Sequence, residues 1–473
     1  MAYTTIDDPS AFFQTKLYTG TGSTLSLTND GNSNLQPDWV WIKNRSGSNW
    51  HVLQDSSRGS GQSLFSNDTY QETNDSSTRN IQFDSNGITL SGSTSSFNDI
   101  NGSSNNLVAW QWKAGGTTPT KTYKVVVVSD GGNKYRFRNS GDTATFAQSA
   151  VTLDLQEGGT YVFDWSDSSA QAHPIRFSLT SNGTHGGGSE YTTGVVKDDS
   201  AYKTTITVPS GVSTLYYYCQ YHSGMGGQVN TNTTHGQTNF DGSILSVSQA
   251  NTTAGFSIVT YTGTGSEGTI AHGLGATPKM IIWKRRDSSA NWSVQGTQSA
   301  INTDRVEIVL NSTSAVSSAD SRIGRQSQWN STVFEVNTYT DQNADGGTYL
   351  AYCFAEIKGY SKFGSYTGNG NADGTFVYTG FKPSWVLIKA SSKTDSWLLM
   401  DSARSTFNVV SNTLATNSSG SENADTGGIP TDFLSNGFKC RGSGGDFNQN
   451  GATYIYMAFA EHPFVSSEGV PVT

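Results

Sequence analysis

Short apolar and aromatic strands, separated by polar turns such as Asp30-Gly31, Asn86-Gly87 and Asn436-Gly437, run the whole length of the chain. No long stretch shows helical periodicity, so the pattern predicts an all-β protein. Three of the predicted strands are alike. Each follows a proline by two residues and ends in lysine: Pro37-Asp-Trp-Val-Trp-Ile-Lys43, Pro278-Lys-Met-Ile-Ile-Trp-Lys284 and Pro383-Ser-Trp-Val-Leu-Ile-Lys389. A Tyr-Thr-Gly-x-Gly turn precedes each, at Tyr18 to Gly22, Tyr261 to Gly265 and Tyr366 to Gly370, and lies 25, 23 and 23 positions from tyrosine to lysine. Each unit closes on an aromatic strand, beginning at Leu107, Tyr349 and Tyr454.

A module of about a hundred residues therefore occurs three times, as tandem β-sandwich units. The expected organisation is copy one at 1–116, an inserted segment at 117–238, copy two at 239–360 and copy three at 361–473. The insert is flanked by Thr-Thr-Pro-Thr and Thr-Asn-Thr-Thr-His-Gly-Gln-Thr, loop-like sequences of the kind that accept an inserted domain. Three related modules multiply contacts more readily than they build one active site.

Charged residues make up only 14% of the 473, so hydroxyls and amides must supply solubility. The net charge of −9 and the lack of a Lys/Arg run exclude a nucleic-acid surface. The first residues have neither a basic nor an apolar leader region, and no stretch approaches ~20 apolar residues. The expectation is a protein that is neither exported by a leader nor inserted in a membrane. Three cysteines cannot form a disulfide framework.

The repeats act as an internal control, because a residue the module needs should recur at its equivalent positions. Cys353 stands where the other copies have Gln111 and Ala458, and Cys440 where the first has Leu90, so both read as buried apolar residues rather than nucleophiles. His51 aligns near Leu398 and reads as incidental. Asp55-Ser-Ser-Arg58 and Asp401-Ser-Ala-Arg404 recur in copies one and three, whereas copy two has Gln-Gly-Thr-Gln-Ser-Ala. A turn held by a local ion pair is the expected role, with a carbohydrate or partner contact as the alternative. No phosphate-binding loop, His-Glu-x-x-His or Gly-x-Ser-x-Gly motif is present, and no enzyme activity is expected.

The insert reads as a small sandwich with strands at 123–128, 134–138, 151–155, 160–165, 174–179, 204–208 and 215–219. His173, Ile175, Phe177 and Leu179 share one parity, as do Leu215, Tyr217 and Cys219, so His173 and Cys219 would emerge from the core side at strand ends. Cys219-Gln-Tyr-His222-Ser-Gly-Met225 then supplies a second imidazole and a thioether. One thiolate, two imidazoles and a weak thioether form the donor set of a blue-copper site. On these residues the insert resembles a cupredoxin, a Greek-key β-sandwich, with His173, Cys219, His222 and Met225 as implied copper ligands. The His-to-Met interval is shorter than is common in blue-copper proteins. It resembles that of the binuclear domain of cytochrome oxidase, but the second cysteine needed there is missing, which leaves a mononuclear site. The alternative is a sandwich borrowed as a spacer, its ligand residues remaining at the core edge. The Gly-rich run Thr184-His185-Gly-Gly-Gly188 reads as a flexible turn with His185 in solvent, since no helix follows it.

The opening Asp-Asp-Pro-Ser-Ala-Phe-Phe-Gln-Thr-Lys-Leu-Tyr-Thr-Gly, the Pro-Asp-Trp-Val-Trp-Ile-Lys-Asn-Arg-Ser-Gly stretch and the closing Tyr-Met-Ala-Phe-Ala-Glu resemble a module of tailed-phage virion proteins, marine phages especially. The resemblance implies a tail-fibre, appendage or head-decoration protein that is assembled in the host cytoplasm, sits on the virion surface and contributes to host attachment. Its implied partners are other virion proteins and a host-surface glycan or protein receptor. Self-association, as a homotrimer for example, is expected through the aromatic-rich sheets. Two rival readings remain at this level: a copper redox protein with adhesive modules, and a polysaccharide-degrading tail protein.

Overall fold

The computed structural model describes residues 4–92, 99–115, 119–212, 214–232, 236–296, 304–424 and 429–463. The expected boundary at 116/117, part of the second insert flank and the expected end of the third copy at 473 lie outside them. Strands make up 41% of the chain and helices 4%, in accord with the all-β expectation. Each copy builds a main sheet from four equivalent strands. An opening strand (Phe13–Thr19, Phe256–Thr262, Ser361–Thr367) pairs antiparallel with a closing strand (Asn106–Trp112, Thr348–Phe354, Thr453–Phe459). The lysine-ended strand (Trp39–Asn44, Met280–Arg285, Trp385–Ala390) follows, and then a return strand (Val52–Asp55, Trp292–Gly296, Trp397–Asp401). A smaller two- or three-stranded sheet covers one face of each.

The Tyr-Thr-Gly-x-Gly motif is a structural clasp. The tyrosine hydroxyl donates to a carbonyl across the module: Tyr18 to Ile100 at 2.7 Å, Tyr261 to Gln342 at 2.5 Å and Tyr366 to Phe447 at 2.6 Å. The next residue along, Asn101, Asn343 or Asn448, accepts a backbone N–H from the glycine turn and donates its amide back to a carbonyl of the same turn. The first glycine is obligatory by space. A Cβ on Gly20, Gly263 or Gly368 would lie 2.1, 2.3 or 2.3 Å from a carbonyl oxygen.

Alternation along the closing strands divides their side chains between two cores. Leu107 and Ala109, Tyr349, Ala351 and Cys353, and Tyr454, Tyr456 and Ala458 face the small sheet of their own copy. Val108, Trp110 and Trp112, Leu350, Tyr352 and Phe354, and Ile455, Met457 and Phe459 all enter one core shared by the three copies. Equivalent residues meet in it: Trp112 and Phe459 ring centroids are 5.8 Å apart, and Phe354 and Phe459 6.1 Å. Aromatic groups of this size dominate the burial term, at about 1.5–3 kcal/mol for a fully buried large side chain.

One set of side-chain hydrogen bonds between copies recurs around a closed ring, donated in the same sense at each junction. Copy two donates to copy one through Trp292 Nε1 to Phe65 O (2.7 Å) and Lys284 Nζ to Thr69 O (2.8 Å). Copy three donates to copy two through Trp397 Nε1 to Val309 O (2.9 Å) and Lys389 Nζ to Thr313 O (3.0 Å). Copy one completes the ring on copy three, with His51 Nε2 to Ala415 O (3.1 Å) and Lys43 Nζ to Ser419 O (3.1 Å). One backbone bond repeats at all three junctions: Glu72 N to Arg286 O, Glu422 N to Arg45 O and Val316 N to Ser391 O. Equivalent contacts in cyclic order give the body an approximate threefold relation, as in a closed trimer but within one chain.

The insert packs two five-stranded sheets face to face around its own aromatic core. All seven strands expected from the sequence are present within a few residues of their expected ends, and Glu190–Tyr191, Val195–Asp198 and Gly227–Asn232 are added to them. Thr120–Ser129 pairs parallel with Thr160–Asp164, and Leu153–Gln156 parallel with Gly227–Asn232. Leu179 departs from the expected parity, because its strand ends at Ser178 and leaves it exposed. The insert joins the body at Thr238, whose carbonyl accepts from Lys121 Nζ and Tyr123 OH, both at 3.0 Å.

Candidate metal centre

His173 and Cys219 reach the same end of the insert by strand pairing. Ile175, two residues after His173, pairs with Cys219 across antiparallel strands, and Gln220 N donates to Pro174 O at 3.0 Å. His173 is tied into a turn by its N–H to Ala170 O (2.8 Å), and its carbonyl accepts from the buried Tyr135 hydroxyl at 2.7 Å. The loop after Cys219 then brings His222 back over the thiol. Cys219 Sγ is 3.7 Å from His173 Nδ1 and 3.6 Å from His222 Nδ1, and the two rings are 4.5 Å apart. The three potential ligand atoms lie within 4.8 Å of one another.

This triangle fits a metal ion. Bonds of about 2.3 Å to sulfur and 2.0–2.1 Å to nitrogen subtend roughly 115° over such N···S separations, between tetrahedral and trigonal geometry. A thiolate with two imidazoles suits copper in both oxidation states. Cys219 and His173 are buried and His222 is exposed, so the site lies at the surface end of the core. Met225 is buried in the same core cluster as Cys219, and its carbonyl accepts from Tyr135 N at 3.0 Å. Burial, followed by the neighbouring His222, depresses the pKa of His173 and favours the neutral imidazole that a metal requires.

The surrounding groups fix the ligand loop. Asn182 Nδ2 donates to Ser223 Oγ and its Oδ1 accepts from Gly224 N, both at 2.8 Å. His185 is exposed, as expected, but its ring is also anchored, with Nε2 3.0 Å from Cys219 O. A carbonyl only accepts, so His185 carries a proton on Nε2. Gly226 is needed because a Cβ there would sit 1.8 Å from Tyr217 O. Asn182, at φ +60 before Gly183, had a sequence signal in its Asn-Gly dipeptide, whereas Tyr135 and His185 had none.

Elsewhere the internal control holds for cysteine but fails for histidine. Cys353 and Cys440 are buried core residues, and burial raises both thiols, that of Cys440 to about 12. His51 directly precedes the return strand, at the position where continuing the register would set it opposite Lys43, as Trp292 pairs with Lys284 and Trp397 with Lys389; this is one position away from the Leu398 alignment. It replaces those tryptophans as donor to the next copy. Its Nδ1 accepts from Trp41 Nε1 at 2.9 Å, and burial, followed by Lys43, keeps the ring neutral.

The Asp-x-x-Arg pairs are buried ion pairs at the junctions, at 2.6 Å for Asp55–Arg58 and 2.5 Å for Asp401–Arg404. Asp55 also accepts from Tyr352 OH of copy two (2.7 Å), and Asp401 from Trp110 Nε1 of copy one (3.0 Å). At the third junction the register puts Met457 and Gly296 at these positions, so donor and acceptor are absent together. Residues 297–300 of the copy-two segment lie outside the described residues.

Among the described residues no helix is long and apolar enough to cross a membrane. No curated protein and no solved structure matches the chain. One family model matches residues 8–133 and 230–463, the three-copy body, and leaves out most of the insert. Since the match covers well over half of the sequence, the chain belongs to the family described as a domain of unknown function, DUF7483.

Proposed function

We propose that this chain is a structural protein of the tailed-phage virion surface, a tail fibre, appendage or head decoration that contributes to host attachment. The body serves as scaffold and the insert as projecting domain. The observation that carries this reading is the closed ring of three modules on one core, an arrangement suited to holding surfaces in fixed relation. Other virion proteins and a host glycan or receptor are its proposed partners. Nearly all the tryptophans lie inside the chain, so we assign contacts with further copies, a trimer among them, to the outer faces. Mass spectrometry of purified particles should find the chain in fixed ratio to other particle proteins, with antibody to the insert labelling intact particles. Recovery only in the unassembled fraction of a lysate would overturn the assignment.

The ligand triangle supports a second element, that His173, Cys219 and His222, with Met225 as a further donor, would hold one copper ion. Bound copper would supply a one-electron redox couple, while the protein fixes the ligand positions. Titration should give one copper per chain and an intense visible thiolate-to-copper band, both lost in Cys219→Ser and His173→Ala. Uptake equal to that of these variants would reduce the insert to a spacer.

A further inference from the structure

The third copy carries an exposed aromatic pair that its siblings lack. Phe376 and Tyr378 lie on the strand Phe376–Tyr378 and are 43% and 58% exposed, while Val377 between them is buried. Their strand pairs Val377 with Phe438, as the first copy pairs Leu27 with Ile88 and the second Ile270 with Phe334. All six of these central residues are buried in core clusters, which fixes the correspondence. At the flanking positions copy one has the exposed Ser26 and Thr28, and copy two has the half-buried Thr269 and the buried Ala271. The fold therefore does not require aromatic side chains there.

The rest of the face fits the same purpose. Phe376 lies in register with Lys439 and then Asp432, and Tyr378 with Gly437 and then Leu434, so these outward residues form two rows across the sheet. A Cβ on Gly437 would lie 3.0 Å from the Phe376 ring, so the glycine leaves room for that ring on the sheet. The charges at this end are mutually paired, Lys439 with Asp373 at 2.5 Å and Arg441 with Asp432 at 3.2 Å. At the other edge, Asn408 bonds both backbone groups of Phe433, at 3.0 and 2.8 Å, and holds a loop with Phe407, 83% exposed, beside the sheet. That loop is longer than its counterpart in copy one: thirteen positions separate Asp401 from Leu414, against nine from Asp55 to Leu64.

We propose that this face binds an uncharged polysaccharide, with Phe376 and Tyr378 as stacking platforms and the paired side chains as hydrogen-bonding rim. Rings two residues apart on a strand are about 7 Å apart, so each lies under a different sugar of one chain. Aromatic faces match the C–H faces of sugars, and a surface whose charges are already paired offers nothing to a polyanion. The proposal rests on the attachment reading of the body, yet it is read separately from it, since particles can contain the chain whether or not it binds glycan.

Affinity electrophoresis of the full chain through gels containing mannan, dextran, galactan or mixed-linkage β-glucan tests it, with alginate as the charged control. Retardation is expected in at least one neutral gel. It should weaken about tenfold in Phe376→Ser/Tyr378→Thr, which copies the first module and so keeps the fold, and persist in Tyr378→Phe. Failure of every neutral gel, retardation confined to alginate, or equal retardation of the double variant would overturn it. Sedimentation showing an oligomer that the double variant dissolves would make the occupant a second copy and overturn it as well.

Discussion

Asp401 carries more than its turn, because Arg404 and Trp110 both depend on it inside a dry junction. Asp401→Ala leaves a guanidinium buried with Glu422 as its remaining carboxylate and an indole N–H with no acceptor, and is expected to cost about 3–5 kcal/mol in chemical denaturation. Tyr352→Phe is milder, about 1–2 kcal/mol, because Arg58 still neutralises Asp55. The third junction shows the same rule, since Met457 and Gly296 have lost donor and acceptor as a pair. Glu461 makes a pH-dependent contact between copies: it accepts Thr15 N at 3.1 Å, and burial, with Asp401 and Asp30 adding to it, raises its pKa to about 8. A carboxyl raised in the folded state binds its proton more tightly there than in the unfolded chain. Its contribution is complete below the unfolded value near 4.5 and declines as pH rises towards 8, by at most about 1.4 kcal/mol per unit. Glu461→Gln should flatten the fall in stability between pH 5 and 8, measured by denaturation across that range. An unchanged slope would assign it to other groups.

At the level of elements, the glycine turns and their asparagine clasps define the module. Gly368→Ala drives a methyl against Gln449 O, and Asn448→Ala frees that turn. Each is expected to cost about 2–3 kcal/mol, with the loss visible as earlier unfolding of the body. These elements were legible because their causes are local: a turn, a strand period and a spacing recur three times. The candidate metal triangle was legible for the same reason, since Cys219 and His222 are close in sequence and His173 ends the neighbouring strand. The ring was not, because its bonds join residues from 76 to 376 positions apart, Trp110 and Asp401 among them. A signal did exist in the lysine-ended strands, which are apolar at consecutive positions where a half-exposed strand would alternate. Trp39–Asn44 is buried at every residue, as a strand must be when it lies between its own small sheet and two neighbouring copies. His51 escaped notice because residue identity changed while its donor role was kept.

For the whole molecule, the division of cores predicts how the chain comes apart. Among the described residues the inner face of each main sheet is covered by the other two copies, so no copy can bury it alone. The insert, in contrast, closes its own core, to which the body side contributes, among the described residues, Phe240 and the partly buried Leu245. Calorimetry should therefore show two transitions rather than four, one for the three-copy body and one for the insert. A ligand that binds only the folded insert stabilises that unit by mass action, about 2.7 kcal/mol at a hundredfold excess over the dissociation constant. Copper should accordingly raise the insert transition and leave the body transition in place, and Cys219→Ser should abolish the shift. The body variants Asp401→Ala and Asn448→Ala should move only the other transition. Three separable body transitions would mean that the shared core contributes little to stability. A copper shift in both would mean that the contacts around Thr238 couple the insert to the ring strongly enough for metal binding to be transmitted to the scaffold.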